Sequence, residues 1–181
     1  MPLTRATHCP VAQPVLANAG LAGRRRNRPP RPEGLAYSFT LPGEPHCATT
    51  ARAAIRSALH VHGLAPYADV AVLAATELIG TAVELTPGRE LYLSLRCRAG
   101  ALRLVLWDQH PRHTDPDDVS LCAARRRDAL WLLAACVSDC GGEWGTAEAE
   151  PPQRGVKSWA VLPCRRPELG PGTQDWVGMR A

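Results

Sequence analysis

Pro66-Tyr-Ala-Asp-Val-Ala-Val-Leu-Ala-Ala-Thr-Glu-Leu-Ile-Gly-Thr-Ala-Val-Glu-Leu-Thr-Pro-Gly88 decides how the rest of the chain is read. Pro66 suits the first turn of a helix, where its missing N–H would have no partner in any case. Asp69 follows in the same turn, where the helix dipole favours a negative charge. Pro87 and Gly88 end the segment. Apolar side chains recur at Val70, Leu73, Ala74, Leu78, Ala82 and Leu85, so the spacing predicts one helix with one face inward. Glu77 and Thr81 lie on the same side, one turn apart. A carboxylate beside a buried stripe is a site candidate.

Working outward, LAYSFTL (35–41) alternates as a strand, with Tyr37 and Phe39 on one face, and Pro42-Gly43 ends it. His46 to Gly63 predicts a second helix with Ala48, Ala51, Ile55, Ala58 and Leu59 inward. After the central helix, ELYLSLRC (90–97) and ALRLVLWD (101–108) alternate strictly around an Ala99-Gly100 turn, a hairpin signature. The second strand ends on Asp108 and runs into the polar loop QHPRHTDPDD. Val119 to Asp139 predicts a third helix carrying Arg125, Arg126 and Arg127, with Leu121, Ala124, Leu132, Ala135 and Cys136 inward. EWGTAEAE and VKSWAVLP predict a closing hairpin joined by PPQRG. The order strand, helix, helix, strand, strand, helix, strand, strand predicts an α+β fold. It is a two-layer sandwich with a mixed or antiparallel sheet and helices on one face.

With 181 residues, the chain holds one domain at residues 35–163, an N-terminal arm at 1–34 and a tail at 164–181. The net charge is +4, and Arg24, Arg25, Arg26, Arg28 and Arg31 cluster in the arm, leaving the remainder close to neutral. The arm is rich in Pro, Gly and Arg and lacks the apolar surface to offset the entropy of ordering, so it is expected to be disordered. Clustered arginines attract phosphate, but no aromatic side chain is interleaved to stack on bases, so a solvated tail is preferred over a nucleic-acid contact. Trp176 is an isolated apolar residue in the tail. Seven cysteines without a C-x-x-C pair, no secretory leader and no apolar run long enough for a bilayer predict a cytoplasmic protein with reduced thiols. Most of those thiols read as small core residues. No cysteine or histidine pair, among them Cys136/Cys140, His60/His62 and His110/His113, has the spacing of a structural zinc module. His110 and His113 are expected to decorate their loop.

These words in this order resemble the GHKL (histidine-kinase-like) ATPase superfamily, and within it the bacterial anti-sigma-factor serine kinases and related single-domain regulators. The resemblance covers roughly residues 37–163. FTLPGEP before an Arg-bearing helix, TELIGTAVEL, LRLVLWDQHP and GVKSWAVLP carry it, the last three falling where the family has E-L-x-x-N-A-x-x-H, a strand ending in D-x-x-P, and G-K-T-V-W. It implies ATP and Mg²⁺ as cofactors, with Glu77 as the catalytic carboxylate, Thr81 at the metal-ligand position and Asp108 as acceptor for the adenine amino group. Ala129 and Lys157 fall at or beside the phosphate-binding positions. It further implies a sigma factor or an anti-sigma antagonist protein as partner, with a homodimer among the allowed states.

The departures shape the functional expectation. Thr81 replaces the family's Asn, and Leu85 its His. Arg127-Asp128-Ala129-Leu130 stands where G-R-G-L is usual, so side chains fill space that a phosphate would take. Lys157 is one place off its expected register and would point to the opposite face of a strand. The expected protein is therefore a regulator that binds a protein partner with weakened or lost Mg²⁺·ATP use, a pseudo-enzyme. The alternatives are an active protein serine/threonine kinase and, through the arm, a nucleic-acid-associated protein.

Overall fold

The computed structural model describes residues 30–150 and 152–164. The expectations for the arm up to residue 29, for Cys9 and for Trp176 lie outside the described residues. Five strands form one sheet in the order β1-β2-β3-β5-β4, every neighbouring pair antiparallel. They are β1 (Ala36–Leu41), β2 (Leu91–Arg98), β3 (Ala101–Asp108), β4 (Glu143–Glu148) and β5 (Val156–Pro163). Among the described residues, four α-helices accompany them: α1 (Cys47–Val61), α2 (Ala68–Leu85), α3 (Pro116–Ala129) and α4 (Trp131–Asp139). The fold is the expected α+β sandwich, with the sheet antiparallel throughout.

Alternation builds the two faces. Leu91, Leu93, Leu95 and Cys97 of β2 and Leu102, Leu104 and Leu106 of β3 are buried, as are Ala160 and Leu162 of β5. The residues between them face the other side of the pleat. Ala99 (φ 49°) and Gly100 (φ 70°) both adopt left-handed backbone at the β2–β3 turn, which a two-residue hairpin of this hand requires.

The central helix departs from the expected single stripe. Leu78 and Ala82 are buried as predicted, but Ala71, Ala75 and Ile79 are equally inaccessible. The reason is position: α2 touches α1 on one side and α4 on the other, and it packs on β3 and β5. Small alanines allow three neighbours to approach one helix. The C-terminus of α2 is closed by Thr86, whose N–H and hydroxyl both donate to the Ala82 carbonyl, at 2.8 and 2.7 Å.

The expected domain start at residue 35 falls just after a short 3₁₀ turn, Pro32–Gly34. His62, at the end of α1, is 5% exposed; its Nδ1 lies 2.9 Å from the Arg31 carbonyl and its Nε2 3.3 Å from the Tyr37 hydroxyl. Arg31 is thus tied by its backbone to the domain.

The single helix expected over Val119–Asp139 is two. α3 begins at Pro116, capped by the Asp115 carboxylate, which accepts the Asp117 N–H at 2.8 Å. Its first turn carries Asp117 and Asp118 and its last Arg126 and Arg127, both favoured by the helix dipole. The break comes at Leu130 (φ −91°, ψ 19°), after which α4 starts. The inward set shifts as well. Leu121 is 52% exposed and Ala124 and Ala135 are exposed, whereas Leu130, Leu133 and Val137 are buried. Among the described residues, no helix is long and apolar enough to cross a membrane.

Candidate functional site

The C-terminal end of β3, the loop that follows it and α3 enclose the chemically richest part of the molecule. Asp108 is the last residue of β3 and sits on its inner face, 0% exposed. An isolated carboxylate there would be costly, because burial disfavours the charged form. Arg126, the one buried residue of α3, supplies the counter-charge. Its Nη1 donates to Oδ2 at 2.6 Å and its Nη2 to Oδ1 at 3.3 Å, a two-pronged guanidinium–carboxylate pair. The backbone N–H of His110 donates to Oδ1 at 3.0 Å, so the carboxylate is satisfied on both oxygens.

Gly155 makes this corner possible from the β5 side. It has φ +113°, and a Cβ there would stand 1.9 Å from the Asp108 carbonyl oxygen. Only glycine permits that approach and that backbone angle.

The structure distributes the residues singled out in the sequence over several surroundings. Glu77 is half-buried on α2, and Thr81, one turn on, is 6% exposed within the buried side of that helix. Ala129 is the last residue of α3, in a segment that stays helical: the Leu130 N–H bonds back to the Arg126 and Arg127 carbonyls at 3.2 Å each. That amide is thus directed into the helix end. Lys157 is exposed and pairs in register with Trp107, while Asp108 pairs with Val156. Strand alternation puts Lys157 and Asp108 on opposite faces of the sheet. Asp108 pairs with Arg126, a residue outside the expected set.

A cavity of about 200 Å³ opens between the β3–α3 loop, α3 and the ends of β4 and β5. Its lining includes His110, His113, Cys122, Arg126, Arg127 and Glu148. Glu77, Thr81, Asp108, Ala129 and Lys157 do not line it. His110 and His113, expected only to decorate the loop, turn toward each other and toward α3: their Nε2 atoms are 3.1 Å apart, and Cys122 Sγ lies 3.0 Å from His110 Nε2. The Leu85 backbone faces the His110 ring, yet Nδ1 is buried without a well-formed hydrogen bond among the described residues. Burial, and after it the charge of Arg126, pushes His110 below the ordinary imidazole range, against the opposing pull of Asp108. Both effects favour the neutral ring of His110.

A larger, shallower hollow of about 1010 Å³ adjoins this cavity along the same loop, with Arg89, Arg112, Arg154 and Trp107 on its walls.

Two groups of functional interest escaped the sequence reading. Arg126 sits in a run of three arginines, and only the turn count from the Asp115 cap distinguishes the inward one. Cys122 lies nine residues beyond His113, a spacing no standard metal motif uses. No protein-family model matches this chain, and no curated protein matches it significantly.

Proposed function

We propose that this protein is a regulator that works by binding another protein, on an ATPase-like sandwich whose Mg²⁺·ATP use has been weakened or lost. A sigma factor or an anti-sigma antagonist is the partner class that the sequence resemblance suggests. The observation that carries the loss of nucleotide use is the Arg126–Asp108 pair. On the resemblance, Asp108 would accept the adenine amino group. Here its two oxygens are committed to Arg126 and to the His110 N–H.

Magnitude decides the point. Freeing a buried carboxylate from its paired counter-charge costs about 3–5 kcal/mol. At 1.4 kcal/mol per decade, a purine that had to displace Arg126 would lose about two to nearly four orders of magnitude in affinity. The helical course of Arg127–Ala129 supports the same reading, since amides used within a helix are not offered to phosphate. For partner binding, the support is exposed apolar surface along α3 and at its junction with α4: Trp131 is 68% exposed, Leu121 52% and Val119 36%. A large aromatic side chain this accessible is the kind of anchor that protein interfaces bury.

Titration calorimetry with ATP, with and without Mg²⁺, tests the reading. The expected result is no saturable binding up to millimolar nucleotide, together with no phosphate transfer to candidate antagonist proteins. Tight Mg²⁺-dependent binding with transfer to a serine of such a partner overturns it in favour of an active kinase.

A further inference from the structure

We propose that His110, His113 and Cys122 form a zinc-binding site whose fourth coordination position opens into the cavity between the β3–α3 loop and α3. The three candidate ligand atoms, two imidazole nitrogens and one sulfur, all lie within 4.8 Å of one another. His110 Nε2 is the hub, 3.1 Å from His113 Nε2 and 3.0 Å from Cys122 Sγ.

Those two separations fall a little inside what the ion demands. Tetrahedral zinc, with Zn–N near 2.0–2.1 Å and Zn–S near 2.3 Å, holds two nitrogens about 3.3 Å apart and a nitrogen and a sulfur about 3.6 Å apart. Admitting the ion requires His113 and Cys122 to draw back from His110 Nε2 by a few tenths of an ångström and to stand about 3.6 Å from each other, inside the 4.8 Å that bounds them here. His113 stands on an irregular loop and Cys122 on a helix whose neighbouring residues are mostly exposed, so such a movement meets little packing.

The ligand chemistry selects the metal. Two imidazoles and a thiol suit zinc and its cobalt surrogate, while magnesium and calcium require oxygen ligands. On binding, the Cys122 thiol releases its proton to solvent as the sulfur–metal bond forms. Arg126, whose charge opposes a cation at His110, is paired with Asp108, which offsets part of that repulsion. Three protein ligands with a fourth position facing a cavity are the arrangement in which zinc holds a water or an exogenous ligand. Glu148 lines the same cavity. The two histidines come from the loop and the cysteine from α3, so the ion would clamp loop to helix. The assignment rests on the three ligands and not on the nucleotide or partner reading.

The test is cobalt titration of the full, tag-free, reduced chain, followed by displacement with zinc. One equivalent of Co²⁺ should produce a thiolate-to-cobalt charge-transfer band with tetrahedral d–d bands, and zinc should bleach both. Cys122→Ser should remove the charge-transfer band, and His113→Gln should weaken binding at least about tenfold, with far-UV circular dichroism unchanged in both. A Cys136→Ser/Cys140→Ser double variant, which removes the other two closely spaced thiols, should bind cobalt as the wild type does. The proposal is overturned by a folded wild-type protein that gives no such spectrum. It is equally overturned by a band that persists in Cys122→Ser or disappears in the Cys136/Cys140 variant. Cys122 that alkylates equally fast with and without one equivalent of zinc also overturns it, and points instead to a histidine-activated thiol.

Discussion

α2 and α3 are similar in length and lie in the same layer, yet they are held by opposite means. α2 buries eight residues, seven of them apolar, chiefly against α1, α4 and the sheet. α3 buries one, and that one is an arginine. Burial of apolar area is non-directional and additive, so α2 is fixed redundantly. α3 is fixed by a directional ion pair at its far end and by the Asp115 cap at its near end, with an exposed surface between. The difference teaches where the molecule can change shape. The α3 side carries little of the apolar core, and both the candidate metal ligands and the cavity lie there.

Cutting the far attachment should have the largest effect. Arg126→Ala leaves the fully buried Asp108 carboxylate with only the His110 N–H. Removing one member of a buried pair costs about 3–5 kcal/mol, so urea unfolding should show a loss of that size. Replacing both partners together, as Asp108→Leu with Arg126→Met, should recover most of it, because apolar substitution of a buried pair is often neutral. A loss below about 1 kcal/mol in Arg126→Ala would mean that α3 lifts away and water reaches Asp108.

Leu78→Ala probes the opposite regime. Leu78 is 1% exposed in the middle of α2. Truncating it should cost about 3 kcal/mol, within the 2–5 kcal/mol usual for such cavities, and the loss should be global. Hydrogen exchange of α2 and of β3 should accelerate together. If only α2 becomes labile, the redundancy claimed for the core is wrong.

The same contrast explains what could be read from the chain. α1, α2 and the hairpin strands announce themselves because apolar packing leaves a periodic trace: Leu91, Leu93, Leu95 and Cys97 can serve only one face. The Ala99-Gly100 turn is similarly local. α3 carries no such trace, since its burial depends on one charged side chain reaching a carboxylate eighteen positions away. The apolar residues Leu121 and Ala124 then suggested an inward face that the structure leaves in solvent, and the stripe Leu130, Leu133 and Val137 was read out of phase. The break at Leu130 separates two short helices that, in sequence, run together. Asp108 was legible as a special carboxylate because it ends a strand and opens a polar loop, but its partner was not. The meeting of His110, His113 and Cys122 depends on how that loop folds back on α3, and no periodicity encodes such a contact.

The near attachment of α3 gives the smallest and most local effect. Asp115 accepts the Asp117 N–H at 2.8 Å, satisfying one of the amides that the first helical turn leaves without a partner. Pro116 at the following position already lacks an N–H, so the Asp115 carboxylate acts on the first amide that needs it. Asp115→Ala should cost about 1 kcal/mol, as loss of an aspartate cap usually does. Little of that loss should appear as global instability, because no core side chain lies in the first two turns of α3. It should appear as faster amide exchange from about residue 117 to 122, with Arg126 and Asp108 still paired. If the ion pair alone holds the helix, exchange near Arg126 stays slow while the first turns fray. If exchange instead rises evenly along α3, its two attachments act as one cooperative unit, and the contrast with α2 is one of strength rather than of kind.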